Sequence, residues 1–135
     1  MAGSGSLDTL NILVVDDDEA MRTLICRMLR RMKVAEILEA DGGARALERL
    51  SSASNGVDMV ICDWNMPGMT GMDLFQKVHA SRPKLPFLML TGRADLDSVV
   101  AAKQAGVHGY IIKPISPQEL KTKITFLLAA STADA

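Results

Sequence analysis

The sequence predicts an α/β domain in which helices cover both faces of a single parallel sheet. Short, continuously apolar segments alternate along the chain with segments whose apolar residues recur at helical spacing. Continuous apolar strands are typical of a parallel sheet that is buried on both sides. The alternation occurs five times, which predicts a doubly wound (βα)5 sheet with right-handed crossovers. At 135 residues, the chain has the size of one such domain.

Five apolar runs predict the strands. They cover residues 10–15, 34–40, 57–62, 86–90 and 109–112. The second run is the weakest, because charged residues interrupt it. The fourth begins with Pro86, which a strand tolerates at its first position.

Five amphipathic segments predict the helices. The first has apolar residues at positions i, i+3, i+4, i+7 and i+8, namely Met21, Leu24, Ile25, Met28 and Leu29. A second helix follows a turn at 41–43, and a third covers 72–80. A fourth begins at Leu96, with Asp95 as its cap and Gly106 at its end. The fifth has the clearest start, because Ser116 and Glu119 form a capping box around Pro117 at the first helical position.

Composition narrows the class of protein further. A net charge of -1 argues against a general nucleic-acid binder, which would carry a basic excess. No apolar run approaches the ~20 residues of a membrane-spanning helix. Two cysteines are too few for a disulfide framework, so we expect a reducing, cytoplasmic location. We expect a flexible leader over 1–9, one domain over 10–129 and a frayed tail over 130–135.

Polar side chains follow four of the five predicted strands. Asp16 and Asp17 follow the first, Asp63 the third, Thr91 the fourth and Lys113 the fifth. The carboxyl ends of parallel strands meet at one edge of the sheet, where open sheets of this kind bind their ligands. Each residue alone is explained by a cap, a turn or a solvated surface. Their coincidence on one edge indicates a site.

The chemistry of this set points to phosphoryl transfer. Three neighbouring carboxylates repel one another, so without a cation at least one should have a raised pKa. Mg²⁺ relieves that repulsion, since it prefers oxygen ligands and accepts one or two carboxylates together with phosphate oxygens. A carboxylate can then act as a nucleophile on phosphorus. A lysine ammonium would offset the charge of the transferred group, and a threonine hydroxyl would donate to one of its oxygens.

Four motifs resemble a known family, the CheY-like receiver domains of bacterial two-component response regulators. They are Val14-Val15-Asp16-Asp17, Cys62-Asp63-Trp64-Asn65-Met66-Pro67-Gly68-Met69-Thr70-Gly71, Leu90-Thr91-Gly92, and Gly109-Tyr110-Ile111-Ile112-Lys113-Pro114. The resemblance extends from about Leu10 to Leu128. It implies a flavodoxin-like fold with strand order 2-1-3-4-5.

The resemblance assigns roles within the acidic set. Asp63 would be the phosphoacceptor. Asp17 and Asp63 would ligate Mg²⁺ through their side chains, Asn65 would do so through its backbone carbonyl, and Asp16 would act mainly through water. Lys113 would pair with the phosphoryl group.

The resemblance also assigns the switch residues. Thr91 would contact the phosphoryl group and move when it arrives, while Gly92 keeps the next position small. Tyr110 would change rotamer with Thr91, and the bond before Pro114 would be cis.

Two positions would tune the lifetime of the acyl phosphate. They are Asn65 and Arg93, and the second varies widely in the family. The sequence departs from the family pattern at Thr70, where Asp is frequent, and at Ile115, where Phe is common.

The function implied is a phosphorylation-activated signalling switch. A histidine kinase or a phosphotransfer protein would supply the phosphoryl group. A downstream target protein would bind the face made by the fourth helix, fifth strand and fifth helix. Its polar residues would be Lys103, Gln104, His108, Lys121 and Lys123. We expect a monomer, with phosphorylation-linked dimerisation as the alternative, and no nucleic-acid or membrane partner.

Two other classes fit the same residues less well. A phosphorylation-independent receiver-like binding module would be expected to lose the acidic pair, the acceptor or the lysine, and none is lost. An aspartyl phosphatase of the haloacid dehalogenase type needs a second acid two residues after the nucleophile, where this chain has Asn65. We therefore predict a protein that catalyses only its own phosphorylation and dephosphorylation.

Overall fold

In the computed structural model, which describes residues 7–52, 56–92 and 96–133, strands and helices alternate along the chain as the sequence predicts. The strands are β1 (Asn11–Val15), β2 (Glu36–Ala40), β3 (Met59–Asp63), β4 (Phe87–Thr91) and β5 (Gly109–Ile112). The helices are α1 (Glu19–Arg31), α2 (Gly43–Ser52), α3 (Gly71–Ser81), α4 (Leu96–Ala105) and α5 (Pro117–Ala133). All paired strands are parallel and their order is β2-β1-β3-β4-β5, which confirms the predicted fold class.

The core consists of two apolar layers, one on each face of the sheet. Because side chains alternate along a strand, Ile12 and Val14 of β1 enter one layer, whereas Leu13 and Val15 enter the other. Helices α1 and α5 close the first layer, while α2 and α3 close the second. The central strands β1, β3 and β4 are therefore buried on both faces, while the edge strands β2 and β5 are only partly covered, and the carboxyl ends of all five lie at one edge.

The boundaries of four strands differ from the predictions. β1, β2, β3 and β4 begin one or two residues later than predicted, at Asn11, Glu36, Met59 and Phe87, and β3 and β4 each continue one residue further, to Asp63 and Thr91. The last two differences matter for function. A residue inside a strand is fixed by the hydrogen-bond ladder, so Asp63 and Thr91 are placed more rigidly than loop residues would be.

Two features lie just outside the predicted bounds of the domain. Leu7, which lies in the predicted flexible leader, is buried in the α1–α5 layer, and its carbonyl accepts a hydrogen bond from Leu10. Helix α5 continues to Ala133, into the segment predicted to fray. The alanines of that segment favour helix. No helix within the described ranges combines the length and apolar content needed to cross a bilayer.

Side-chain caps fix the helix starts that follow the sheet edge. Asp18 caps α1 by accepting hydrogen bonds from the main-chain N–H groups of Ala20 and Met21 at 3.0 and 3.3 Å. Ser116 accepts from the N–H of Glu119 at 3.1 Å, as its capping role requires.

The predicted bounds of α4 can be compared at its end only. Gly106, at φ 92°, follows α4 as predicted. The predicted cap Asp95 lies outside the described residues.

Candidate functional site

The predicted acidic residues meet at the carboxyl edge, between the adjacent strands β1 and β3. Asp16 follows β1, Asp63 ends β3, and carboxylate oxygens of Asp16, Asp17 and Asp63 all lie within 4.8 Å of one another. The chain passes from β1 to β2 on one side and returns to β3 on the other, so this is the topological switch point of the sheet. These three acids and Lys113 are called the acidic pocket below.

Asp16 is the most constrained acid of the pocket. Its main-chain N–H donates to the Ala40 carbonyl at 3.1 Å, and its Oδ1 accepts from the N–H of Asp18 at 2.9 Å. Its Oδ2 is buried without a hydrogen-bond partner among the described residues. Burial raises the pKa of Asp16 from 3.8 to about 6, with smaller increases from the charges of Asp63 and Asp17. One acid therefore has the raised pKa that the sequence predicts, although the main cause is desolvation rather than repulsion.

Asp17 differs sharply from its neighbour. Its side chain is exposed, whereas those of Asp16 and Asp63 are buried. The acidic pocket therefore has two carboxylates held inside the protein and one at its mouth. An exposed carboxylate is available to a ligand that arrives from solvent.

Asp63 forms an ion pair with Lys113. The Nζ of Lys113 lies 2.6 Å from Oδ1 of Asp63, and the two side chains are 23% and 7% exposed. The main-chain N–H of Lys113 donates to the Thr91 carbonyl at 2.7 Å, which holds this lysine at the end of β5 beside β4. The peptide bond between Lys113 and Pro114 is cis, as the resemblance implied.

The loop after Asp63 is closed at both ends by main-chain hydrogen bonds. The N–H of Trp64 donates to Leu90, and the N–H of Gly71 donates to the carbonyl of Trp64, each at 2.8 Å. A Cβ at Gly71 would meet the Asp63 carbonyl and would lie 2.9 Å from the Met89 sulfur. Only glycine therefore fits at 71, a requirement that sequence reasoning missed. The closure keeps Asn65, which is exposed, next to the acceptor.

Thr70 has a structural role that sequence reasoning also missed. Its hydroxyl accepts from the N–H of Asp73, and the Asp73 carboxylate accepts from the N–H of Thr70, both at 3.1 Å. This capping box starts α3 directly after the loop. The Thr-x-x-Asp spacing is the sequence signal that could have identified it.

Thr91 and Gly92 lie beside the pocket at the end of β4. Thr91 is buried, while Gly92 is exposed, and among the described residues no atom lies within 4 Å of the place that a Cβ at Gly92 would take. Contacts with that part of the chain therefore do not require glycine at 92. Arg93, the second predicted lifetime residue, lies outside the described residues.

The donor set fits a magnesium ion. Three carboxylates supply oxygen ligands only, which is the chemistry that Mg²⁺ prefers. The buried and unpartnered Oδ2 of Asp16 is an acceptor that a hydrated cation would satisfy, since its bound waters are donors. Without a bound cation, Lys113 is the cation of the described pocket that offsets the charges of the two buried acids, Asp16 and Asp63.

A second polar region surrounds Tyr110 of β5, between helices α4 and α5. The ring of Tyr110 is half-buried, and the Nζ atoms of Lys103 and Lys123 lie 5.9 and 5.4 Å from its centroid. These three residues, from α4, β5 and α5, are called the Tyr110 face below.

Two residues predicted for this face lie elsewhere. Lys121 lines a groove with Met28 of α1 and with Met32, the residue after that helix, because positions 121 and 123 are about 200° apart around a helix. His108 instead accepts a hydrogen bond from the N–H of Phe87 at 3.2 Å and packs edge-on against Phe75.

An acidic pocket with one lysine, at the switch point of a doubly wound five-stranded sheet, defines the class of receiver domains. The family model of the response regulator receiver domain matches residues 12–125, and the chain belongs to that family. Receiver domains of the CheY type are signalling switches rather than classical enzymes, and they bind Mg²⁺ at an acidic pocket.

Characterised relatives include chemotaxis proteins. The chain is 45% identical over 117 residues to the chemotaxis protein CheY of Pseudomonas aeruginosa, covering 85% of this chain and 93% of that one. It is 40% identical over 124 residues to CheY1 of Helicobacter pylori strain J99, covering 90% and 99% respectively.

Solved structures agree with the fold. A receiver domain protein from Clostridium thermocellum superposes with a TM-score of 0.86 at 28% identity, covering 93% of this chain and 99% of that one. CheY4 of Vibrio cholerae superposes with a TM-score of 0.81 at 28% identity, covering 88% and 98%.

Proposed function

We propose that this chain is a phosphorylation-activated switch in which Asp63 accepts a phosphoryl group from a histidine kinase or a phosphotransfer protein. The observation that supports it best is the ion pair of Asp63 with Lys113 at 2.6 Å, within a group of three carboxylates. A buried carboxylate without a partner would be costly to keep charged. Here a lysine offsets the charge of Asp63, and it lies where it can also meet the charge of an incoming phosphoryl group.

The transfer step follows from the two oxygens of the Asp63 carboxylate. Lys113 engages Oδ1, which leaves the other oxygen to attack phosphorus. An O–P bond forms while the P–N bond to the donor histidine breaks, and the bonding electron pair stays on the imidazole nitrogen. The product is an acyl phosphate on Asp63. Lys113 can then move from the carboxylate to a phosphoryl oxygen and offset its charge.

Asp16, Asp17 and Asp63, with the Asn65 backbone carbonyl, would hold Mg²⁺. Bound there, Mg²⁺ supplies charge neutralisation for the phosphoryl oxygens. The buried pair Asp16 and Asp63 is already in place before any ligand arrives, whereas Asp17 at the mouth completes the set.

Asn65 supports a phosphorylated state that persists long enough to signal. Its side chain is exposed two residues after the acceptor. An amide can orient a water molecule but cannot take its proton, unlike the second acid of an aspartyl phosphatase. Hydrolysis would therefore be slower than in a phosphatase, with Asn65 and Arg93 setting its rate.

The Tyr110 face would carry the output. Thr91 ends β4 next to the pocket, and its hydroxyl would move toward the new phosphoryl oxygens. That movement would free space for the ring of Tyr110, which the register places one strand away, opposite Met89. Phe126, 66% exposed and three residues after Lys123 on α5, adds an apolar contact. A target segment with acidic and apolar side chains fits this surface.

The test is phosphorylation by acetyl phosphate with Mg²⁺, followed by intact-mass measurement. The wild type should gain one phosphoryl group, and Asp63→Asn should gain none. Asp41→Asn is the matched control, because Asp41 is an exposed carboxylate just after β2 at the same edge of the sheet. Phosphorylation of Asp63→Asn at the wild-type rate would show that Asp63 is not the phosphoacceptor. A wild type that binds Mg²⁺ and the phosphorylated donor protein but gains nothing would favour the phosphorylation-independent module.

A further inference from the structure

Arg22 connects helix α1 to the carboxyl ends of β1 and β2, next to the acidic pocket. Its Nη1 donates to the main-chain carbonyl of Asp16 at 2.7 Å, and its Nε lies 3.0 Å from Oε1 of Glu39 on β2. The Arg22 side chain is only 16% exposed. We propose that Arg22 is a positioning residue that fixes the peptide between Asp16 and Asp17 and thereby holds the Asp17 carboxylate in place for Mg²⁺. This inference depends on the proposed function, because it concerns the same site.

The carbonyl that Arg22 contacts belongs to the peptide bond joining the two acids. A peptide unit is planar, so fixing its carbonyl oxygen also fixes the nitrogen and Cα of Asp17. Asp16 itself has two other anchors, its N–H bond to Ala40 and the Asp18 N–H bond to its carboxylate. In the part of the chain that the structure describes, the Asp16 carbonyl is held by the bond from Arg22, which restrains the Asp17 side of that peptide.

Asp17 needs this restraint more than its neighbours. Asp63 is held by Lys113 and by the ladder of β3, whereas the side chain of Asp17 is exposed. Within the described ranges, no residue makes a hydrogen bond or ion pair with the Asp17 side chain. The main chain, which Arg22 restrains, therefore sets the position from which the Asp17 carboxylate extends toward the pocket.

Arg22 is itself held in a defined orientation. Its N–H donates to the Asp18 carbonyl at 2.9 Å in the first turn of α1. Glu39 anchors the other edge of the guanidinium, and the Glu39 carbonyl in turn accepts from Nε of Arg49 at 3.1 Å. A planar guanidinium can satisfy the Asp16 carbonyl and Glu39 together, which a lysine ammonium on a flexible stem does less well.

Two simpler roles for Arg22 predict different results. If it merely attaches α1 to β2, its removal lowers stability and leaves Mg²⁺ affinity unchanged. If it acts only through its charge, removing a cation near a cation site makes Mg²⁺ bind more tightly. The positioning role alone predicts weaker Mg²⁺ binding.

The experiment compares Mg²⁺ dissociation constants of Arg22→Ala, Arg22→Lys and the matched control Arg49→Ala, measured by calorimetry on the full chain. We expect about tenfold weaker binding for Arg22→Ala, as for other residues that orient metal ligands, and partial recovery for Arg22→Lys. Arg49→Ala removes an arginine that contacts the Glu39 carbonyl but none of the three acids of the pocket. The Mg²⁺ affinity of this variant should therefore stay within about twofold of wild type. In the metal-free protein, amide shifts of residues 16–18 should change only in the Arg22 variants.

Equal or tighter Mg²⁺ binding by Arg22→Ala, with only a lower melting temperature, would overturn the inference while leaving the proposed function intact. If Arg22→Ala does not fold, Glu39→Gln weakens the anchor of the same guanidinium, and Asp41→Asn, which removes an equal charge at the same edge of the sheet, is its control. A loss of affinity in Glu39→Gln no larger than that in Asp41→Asn would then overturn the inference. A wild type that binds no Mg²⁺ would overturn the proposed function and this inference with it.

Discussion

The acidic pocket and the Tyr110 face belong to the same sheet but hold their charges differently. In the pocket, Asp16 and Asp63 are buried, and a lysine lies 2.6 Å from one of them. On the face, Lys103 and Lys123 lie more than 5 Å from the ring centroid of Tyr110, and Lys103 is exposed to solvent. Buried charges are costly unless paired, whereas contacts beside water contribute little and exchange easily. The geometry of the pocket is therefore held more firmly than that of the Tyr110 face, whose contacts exchange more easily.

The helices next to the two regions differ in the same way. Helix α3, which follows the acceptor loop, buries Leu74, Phe75 and Val78. Over residues 100–105 of α4, Ala102 is buried, while Val100 is 42% exposed. A segment with few buried apolar contacts is more easily displaced. Because α4 follows Thr91 in the chain, we expect a change in the pocket to displace residues 100–105 more readily than α3.

Removal of Lys113 should have the largest effect. Lys113→Met leaves Asp63 buried without its partner and removes the cation that would meet the phosphoryl charge. We expect phosphoryl transfer from acetyl phosphate to slow on the order of 10²-fold, measured by intact mass against time. Lys84→Met, which removes an exposed lysine from the opposite end of the sheet, should leave the rate unchanged. An equal loss in both variants would mean that net charge, rather than the pocket, controls transfer.

Neutralising Asp16 should have the next largest effect, on stability. In chelator-treated protein at about pH 7, Asp16→Asn should raise the free energy of unfolding by about 1–3 kcal/mol, because the ionised carboxylate is buried. Asp17→Asn should change it by less than about 0.5 kcal/mol, because that side chain is exposed. Chemical denaturation measures both. An equal increase in the free energy of unfolding for both variants would show that repulsion among the carboxylates, rather than burial of Asp16, is the main cost in the pocket.

The gain from Asp16→Asn should depend on pH. The folded-state pKa of Asp16, about 6, lies above the ordinary value of 3.8, so the folded protein binds its proton more tightly than the unfolded chain does. The stability that the protonated Asp16 side chain contributes to the wild type is therefore lost as the pH rises between about 4 and 6. The difference between Asp16→Asn and wild type should be smallest near pH 4 and reach its full size above pH 6. A difference independent of pH would contradict the burial argument.

Substitutions at Thr91 should have the smallest effect on phosphoryl transfer to Asp63, but they should uncouple the Tyr110 face from the acidic pocket. Thr91→Ala should still bind a beryllium fluoride phosphoryl mimic at Asp63, while amide shifts in residues 100–105 and Gly109–Ile112 stay close to those of the free protein. Thr91→Ser retains the hydroxyl and is the matched control, with shifts expected to propagate as in wild type. Propagation in Thr91→Ala would show that the Tyr110 face responds without this residue.

Much of the site could be predicted because it depends on local pattern and topology. Alternating apolar segments predicted the five strands, and β5 has the predicted bounds, Gly109–Ile112. Parallel strands bring their carboxyl ends to one edge whatever the details of packing. Asp16, Asp63, Thr91 and Lys113 therefore had to meet there.

Other features depend on contacts between distant segments, and only the tertiary structure decided them. Asp16 and Asp17 are identical neighbours in sequence, yet one is buried and the other exposed, and the buried one is tied to the end of β2 by its N–H bond to Ala40. Arg22 is one of several arginines on an amphipathic helix, and its bond to the Asp16 carbonyl exists because α1 packs beside β1 and β2. Gly71 is required because the Asp63 backbone and Met89 approach it closely. The sequence by itself determined which residues share the edge, since periodicity and chain direction are local properties. Packing between segments far apart in the chain determined which of them are buried, paired or restrained.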